Sequence, residues 1–478
     1  MQIPELMYID GAFTEGEGSE RLEVRNPATE ELLLRIPVAT AADLDRALGA
    51  AERGHRAWRD VDAWTRSAML RRVAAFLREH VEALAMALTS EQGKPLPEAR
   101  AEVQAAADQF DWNADEARRL YGRIVEGHSR DQRILVLRQP VGPVAAFSPW
   151  NFPALLSARK VSAALAAGCS VVLKPAEEAP RMGFALALAC QAAGIPPGVV
   201  NVVTGRPADI SRHLIASPVI RKISFTGSVP VGRELARLAA DAVKPITLEL
   251  GGHSPVLVFP DADPAVAAEL CARGKFRNNG QVCISASRFF VHADIREAFV
   301  ERFVEVARSL RLGDGREPGV EVGPLANRRR LEAAESLVAD ALGGGARVAA
   351  GGRRPPGHPK GFFYEPTVLL DVRPTMRLMT EEPFCPVAPI ASFRSMEEAL
   401  ALANATDFGL AGYVFTRDTR TALLASEGLE VGMVGVNHLV ISTAEAPFGG
   451  VKHSGYGREG GAEGVESYTV TKVVNLKL

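Results

Sequence analysis

The chain has 478 residues, 47% of them hydrophobic and 23% charged, with a formal net charge of -2. That length suits two or three domains with sizeable cores, and the near-neutral balance offers no field for nucleic acid or anionic lipid. No apolar run approaches the ~20 residues of a membrane helix. Cys169, Cys190, Cys271, Cys283 and Cys385 are scattered without a CxxC pair, which argues against a disulfide framework or structural zinc and fits a reducing compartment. The stretch Met1–Gly11 lacks the basic start and apolar core of a signal peptide, so a cytoplasmic protein is expected.

Residues 40–120 read as helix, with Thr40 and Asp43 as capping residues and apolar positions recurring every three to four residues up to Gly93 and Pro95. After Gly122 the texture turns β-rich and is punctuated by Pro and Gly. From 140 to 260 strands and helices alternate: "GPVAAFSP", "ALLSARKVSAALAAG", "SVVLKP", "RMGFALALACQAAG", "GVVNVVTG", "IRKISFTGS", "VGRELARLAADA", "KPITLELGG". This predicts an α/β fold with a doubly wound parallel sheet, whose ligands sit beyond the carboxyl ends of the strands. A second α/β pattern starts near 262, with strands at "RFFVH", "FFYEPTVL", "GYVFT" and "GMVGVN".

Unusual polar residues gather at the strand ends. In "SPWNFP", two prolines stiffen a turn around Asn151, either an amide donor for an oxyanion or a simple helix cap. Lys174 and Glu177 suit phosphate and ribose oxygens, or form a solvated pair. Gly227 and Ser228 open a helix as a pyrophosphate turn does, though the stretch is not GxGxxG. Glu249 lies in an apolar strand, where a carboxyl pKa rises toward that of a general base; the alternative is a buried ion pair. Cys283 follows 34 residues later among Asn278, Asn279, Gly280 and Gln281, poor core residues that favour a nucleophile over a space-filling thiol. Arg277 is a nearby cation for its thiolate. There is no GxSxG elbow and no HExxH spacing, and no metal site is expected.

Together, "PWNFP", "KPAE", "FTGS", "ELGG", "GQVC", "EEPF" and "PFGGVKHSGYGRE" resemble the aldehyde dehydrogenase superfamily in order and spacing over nearly the whole chain. The resemblance implies a nucleotide-binding domain (1–119 and 139–250), an α/β catalytic domain (251–440), a small β oligomerisation element (120–138 and 460–478) and a return segment (441–459). It implies Cys283 as nucleophile, Asn151 with the Cys283 N–H as oxyanion donors, Glu249 as base and Lys160 with Glu459 as a proton relay. A cofactor cleft of Pro149, Trp150, Lys174, Ala176, Glu177, Gly205, Phe225, Gly227, Ser228, Gly251, Glu382 and Phe384 follows likewise. Glu177 points to NAD rather than NADP, because a carboxylate repels a 2′-phosphate. Homodimers or homotetramers are the family habit.

"SARKVSAALAAGC", "KFRNNGQVC" and "VISTAEAPFGG" resemble the succinate-semialdehyde dehydrogenase branch, which implies that Arg159, Arg277 and Ser442 hold a distal carboxylate. Guanidinium groups fork onto a carboxylate, so the pair selects an ω-carboxylate aldehyde. Glutarate or 2-oxoglutarate semialdehyde, or an uncharged aldehyde, stay open as substrates. A non-redox cysteine hydrolase or acyltransferase is the alternative from another class. Three departures from the branch stand out: Ser285 where many relatives carry a second thiol, Cys385 for the usual glycine, and His438 with Leu439 in the substrate loop.

Overall fold

The computed structural model describes residues 1–478 as three main sheets and two two-stranded ones, wrapped by helices. The first sheet has eight strands in the order Ala12–Thr14, Met7–Ile9, Val200–Val202, Val171–Lys174, Val144–Phe147, Lys222–Thr226, Ile246–Glu249, Gly455–Tyr456. Its five central strands are parallel, and both edges are antiparallel additions. Chain order runs outward in one direction from Val144–Phe147 and then resumes on its other side at Lys222–Thr226. That reversal is the switch point of a doubly wound sheet, and the crevice beyond it is where a ligand fits.

The second sheet has seven strands: Arg347–Ala350, Thr367–Leu370, Val387–Phe393, Ala286–His292, Ser254–Val258, Ala411–Phe415 and Met433–Val436. All its pairs are parallel except the first. The third is antiparallel, with Gln132–Pro140 between Arg123–Glu126 and Thr469–Lys477.

The helical stretch resolves into four helices, Ala41–Arg59, Ala63–Glu79, Val81–Gln92 and Leu96–Glu116. Thr40 and Asp43 form a reciprocal capping box on the first, and Gly93, at φ +94°, ends the third. One expectation was too long. Of "FFYEPTVL", only Thr367 to Leu369 is strand, within Thr367–Leu370, because Pro366 has no N–H for the ladder and at the start of the stretch the Phe362 N–H bonds the Pro27 carbonyl instead.

The Pro153–Ala167 helix matters most for the site. It buries every residue but Leu155, including Arg159 and Lys160. Gly168, at φ +91°, stops it. Burying two cations in one helix is costly unless each meets a partner, and their surroundings identify the site.

Candidate active site

Strand ends from both large sheets meet around a cleft of about 860 Å³. Its lining includes Pro149, Trp150, Asn151, Lys174, Ala176, Glu177, Phe225, Gly227, Ser228, Glu249, Gly251, Cys283, Glu382 and Phe384. Gly205 is not in the lining; it is buried at φ +140°, and its neighbour Arg206 faces the cleft instead.

Cys283 follows an uncommon turn. Asn278, Asn279 and Gly280 stand at φ +47°, +54° and +72° in succession. Asparagine and glycine tolerate this left-handed region, which explains their presence in a buried loop. A Cβ on Gly280 would lie 2.2 Å from the Cys385 carbonyl, so the turn is wedged against the "EEPFCP" loop. The Cys283 N–H meets no acceptor of the chain. Asn151 Nδ2 donates one hydrogen to the Gln281 carbonyl at 3.2 Å, which leaves its second free. Burial pushes the Cys283 thiol up to about 12, with Glu249 and Glu382 adding to the effect and Arg159 opposing it. The cation that offsets its burial is therefore Arg159; Arg277 is exposed.

Strand pairing sets Glu249 opposite Thr226. Burial raises the Glu249 pKa well above the usual carboxylate range, and Glu459 adds to the rise. Neither of its oxygens has a hydrogen-bond partner within the chain. Lys160 Nζ donates to Thr226 Oγ1 at 2.7 Å and to Ser224 Oγ at 3.3 Å, and it is ion-paired to Glu459. A polar thread thus runs behind Glu249, with Lys160 and Glu459 in the layer beneath the cleft.

Arg159 is 2% exposed. It donates to Ser442 Oγ at 2.6 Å, and its guanidinium lies 4.3 Å from the Phe448 ring centroid. No carboxylate pairs with it, and its Nε has no partner. Arg277 lies 5.2 Å from the Phe152 ring centroid, also without an acidic hydrogen-bond partner. Leu439, in the neighbouring loop, reaches the place a Cβ on Gly274 would take, at 2.3 Å. Cys385 is fully buried in an apolar cluster and does not line the cleft.

The sequence profile of the aldehyde dehydrogenase family matches residues 13–474. The chain belongs to that family. It is similar to 4-(hydroxymethyl)benzenesulfonate dehydrogenase of Comamonas testosteroni, with 49% identity over 99% of this chain and 98% of the relative. It is similar to the NADP-dependent succinate-semialdehyde dehydrogenase of Escherichia coli K12, with 42% identity over 98% and 97%. Among solved structures, succinate-semialdehyde dehydrogenase of Burkholderia pseudomallei superposes with a TM-score of 0.97 at 44% identity, over 100% of this chain and 98% of that one.

As an aldehyde dehydrogenase the protein uses NAD or NADP, and the cleft fits such a dinucleotide. A Cβ on Gly227 would meet the Phe225 ring at 2.4 Å, and one on Gly251 would meet Glu382 Oε2 at 2.2 Å, so both glycines leave the wall flat. The first turn of the Val229–Asp241 helix opens beside Ser228, whose hydroxyl makes no capping bond and is free for a ligand. Lys174 and Glu177 form an ion pair at 2.7 Å, with Lys174 buried rather than solvated. Two further residues of the cleft lining, Arg330 and Phe448, brace it; Phe448 lies within the quoted "PFGG" motif, whereas Arg330 has no sequence signal of its own. Arg330 donates to the Pro383 and Phe384 carbonyls at 2.6 and 3.3 Å, bracing Phe384 at φ +44°. Phe448 is tied to Glu459 by two backbone bonds and carries Arg159 over its ring.

Proposed function

We propose that the protein oxidises an aldehyde with a distal anionic group to the acid, with succinate semialdehyde as first candidate and NAD as preferred cofactor. In this reading Cys283 first loses its thiol proton, and the thiolate Sγ bonds the aldehyde carbon. The oxygen takes up negative charge and is held by the free Asn151 amide hydrogen and the Cys283 N–H. When bound, NAD(P) supplies the hydride acceptor. The acyl group is left on Cys283 as a thioester. Glu249 removes a proton from the water that hydrolyses it and passes that proton toward the Lys160–Glu459 pair.

The observation that carries the substrate class is Arg159. A buried cation with a hydroxyl but no carboxylate in contact costs several kcal/mol of desolvation (about 3–5 kcal/mol where a pair is broken), so its position makes physical sense with an anion supplied by the substrate. Arg277 and Ser442 complete the set of donors. A sulfonate would meet the same donors as a carboxylate. The 49% identical relative named for a benzenesulfonate keeps that second anion open, and Leu439 in the loop bears on how long a tail fits. Glu177 supports NAD, since a 2′-phosphate would face its carboxylate, although Lys174 neutralises part of that field.

The three sheets are read as a cofactor-binding domain, a catalytic domain and an oligomerisation element. Thr469–Lys477 is an edge strand with a free side, and it suits pairing with a second copy in a homodimer or homotetramer.

The test is kcat/KM for aldehydes ending in carboxylate, sulfonate or methyl, each with NAD and NADP, in wild type and Arg277→Ala. The reading expects a preference for an anionic tail that shrinks on substitution. Equal losses for charged and uncharged aldehydes would remove the clamp, and equal efficiency with both cofactors would remove the NAD preference.

A further inference from the structure

A buried ion pair backs the Asn151 turn. Lys94 and Glu102 are 1% and 2% exposed. Lys94 Nζ donates to Glu102 and, at 2.7 Å, to the backbone carbonyl of Asn151. It also lies 3.9 Å from the Phe152 ring centroid. The other oxygen of Glu102 accepts the N–H groups of Ala154 at 2.8 Å and Leu155 at 3.3 Å. Those are first-turn donors of the Pro153–Ala167 helix, whose N-cap residue, Phe152, has no side-chain cap to offer. Glu102 therefore caps from another helix the element that carries Arg159 and Lys160.

The same carbonyl ties the turn to the nucleophile loop. Asn278 Nδ2 donates to the Asn151 carbonyl at 3.0 Å and to the Gln281 carbonyl at 3.2 Å. The Asn278 N–H donates to Glu98 at 2.9 Å. Gln281, two residues before Cys283, also receives the Asn151 side-chain amide.

Stability alone is a poor reason for this pair. Burying two charges costs desolvation, and a well-packed apolar pair of the same volume often serves folding equally well. What an apolar pair lacks is aimed hydrogen bonds to the backbone on both sides of Phe152. We propose that Lys94 and Glu102 are positioning residues that keep the Asn151 amide in register with the Cys283 loop. The proposal rests on the reading of Asn151 as oxyanion donor.

A double-mutant cycle tests it. Wild type, Lys94→Met, Asn151→Ala and the double variant are compared for kcat, both KM values and thermal unfolding. Lys94→Met is expected to lower kcat on the order of 10- to 100-fold, as small misplacements at a reacting centre do. Cofactor KM is expected to stay near wild type, and in the Asn151→Ala background the substitution adds almost nothing. An equal loss in both backgrounds overturns the positioning role while leaving the oxyanion reading intact. An unchanged kcat for Asn151→Ala alone overturns the oxyanion reading and the proposal with it. If Lys94→Met does not fold, Glu102→Gln keeps the shape and a capping oxygen. It is expected to lower kcat several-fold in wild type only, and an unchanged kcat overturns the proposal.

Discussion

A thiol pushed up to about 12 is a poor nucleophile at neutral pH until something lowers it. The free protein holds Cys283 neutral because burial disfavours the thiolate and the carboxyl groups of Glu249 and Glu382 face it. A raised pKa means that the reactive thiolate fraction grows about tenfold per pH unit below that value. Alkylation of Cys283 by iodoacetamide in the free protein is therefore expected to accelerate continuously between about pH 7 and pH 10. A plateau starting near neutrality would show that the chain alone activates the thiol. Glu249 is set by the same physics: burial favours its neutral acid, so hydrolysis of the thioester is expected to quicken as pH rises.

The elements that matter most are short turns at strand ends. The turn after Ile246–Glu249 and the "EEPFCP" loop touch at Gly251, where the Gly252 N–H donates to Glu382 Oε1 at 3.0 Å. Burial raises the Glu382 carboxyl to about 7, opposed by that N–H and by Arg330 and Lys275. Gly251→Ala would set a methyl 2.2 Å from the other oxygen of Glu382. The variant is expected to raise cofactor KM on the order of tenfold, ~1.4 kcal/mol of binding, with aldehyde KM little changed. Unchanged cofactor KM would remove Glu382 from the cofactor site. These turns were the most legible part of the sequence, because prolines, glycines and asparagines at strand ends have few other reasons to be there. Glu249 was legible as a carboxyl in an apolar strand, Cys283 from its polar flanks and Asn151 once the family motifs were read together; all three line one cleft. Arg330, Lys94 and Glu102 were not legible. A buried lysine looks like a surface lysine until its three-dimensional neighbours are known, and nothing local in "EQGKPLPEARAE" tells that Lys94, between two helices, and Glu102 face inward.

At the scale of the whole molecule, alternation of strand and helix foretold the doubly wound sheet, and the order reversal beside Val144–Phe147 accounts for where the cleft opens. The antiparallel edge additions, Met7–Ile9 and Gly455–Tyr456, carried no comparable signal, since strands of two or three residues are set by tertiary pairing. No helix is long and apolar enough to cross a membrane. The three-stranded sheet leaves Ile124 and Val473 at 72% and 63% exposure, more than a free surface favours. Val473→Glu combined with Ile124→Glu is expected to lower the mass of the proposed homo-oligomer in sedimentation, and an unchanged mass would remove this sheet from the proposed interface. The proposed chemistry turns on a covalent acyl group on Cys283 released by Glu249. Its most direct test is intact-protein and peptide mass spectrometry of Glu249→Gln, acid-quenched after mixing with NAD and succinate semialdehyde. A succinyl thioester is expected to accumulate on Cys283; a protein without an adduct despite one turnover of NADH, or an adduct on another residue, would overturn this chemistry.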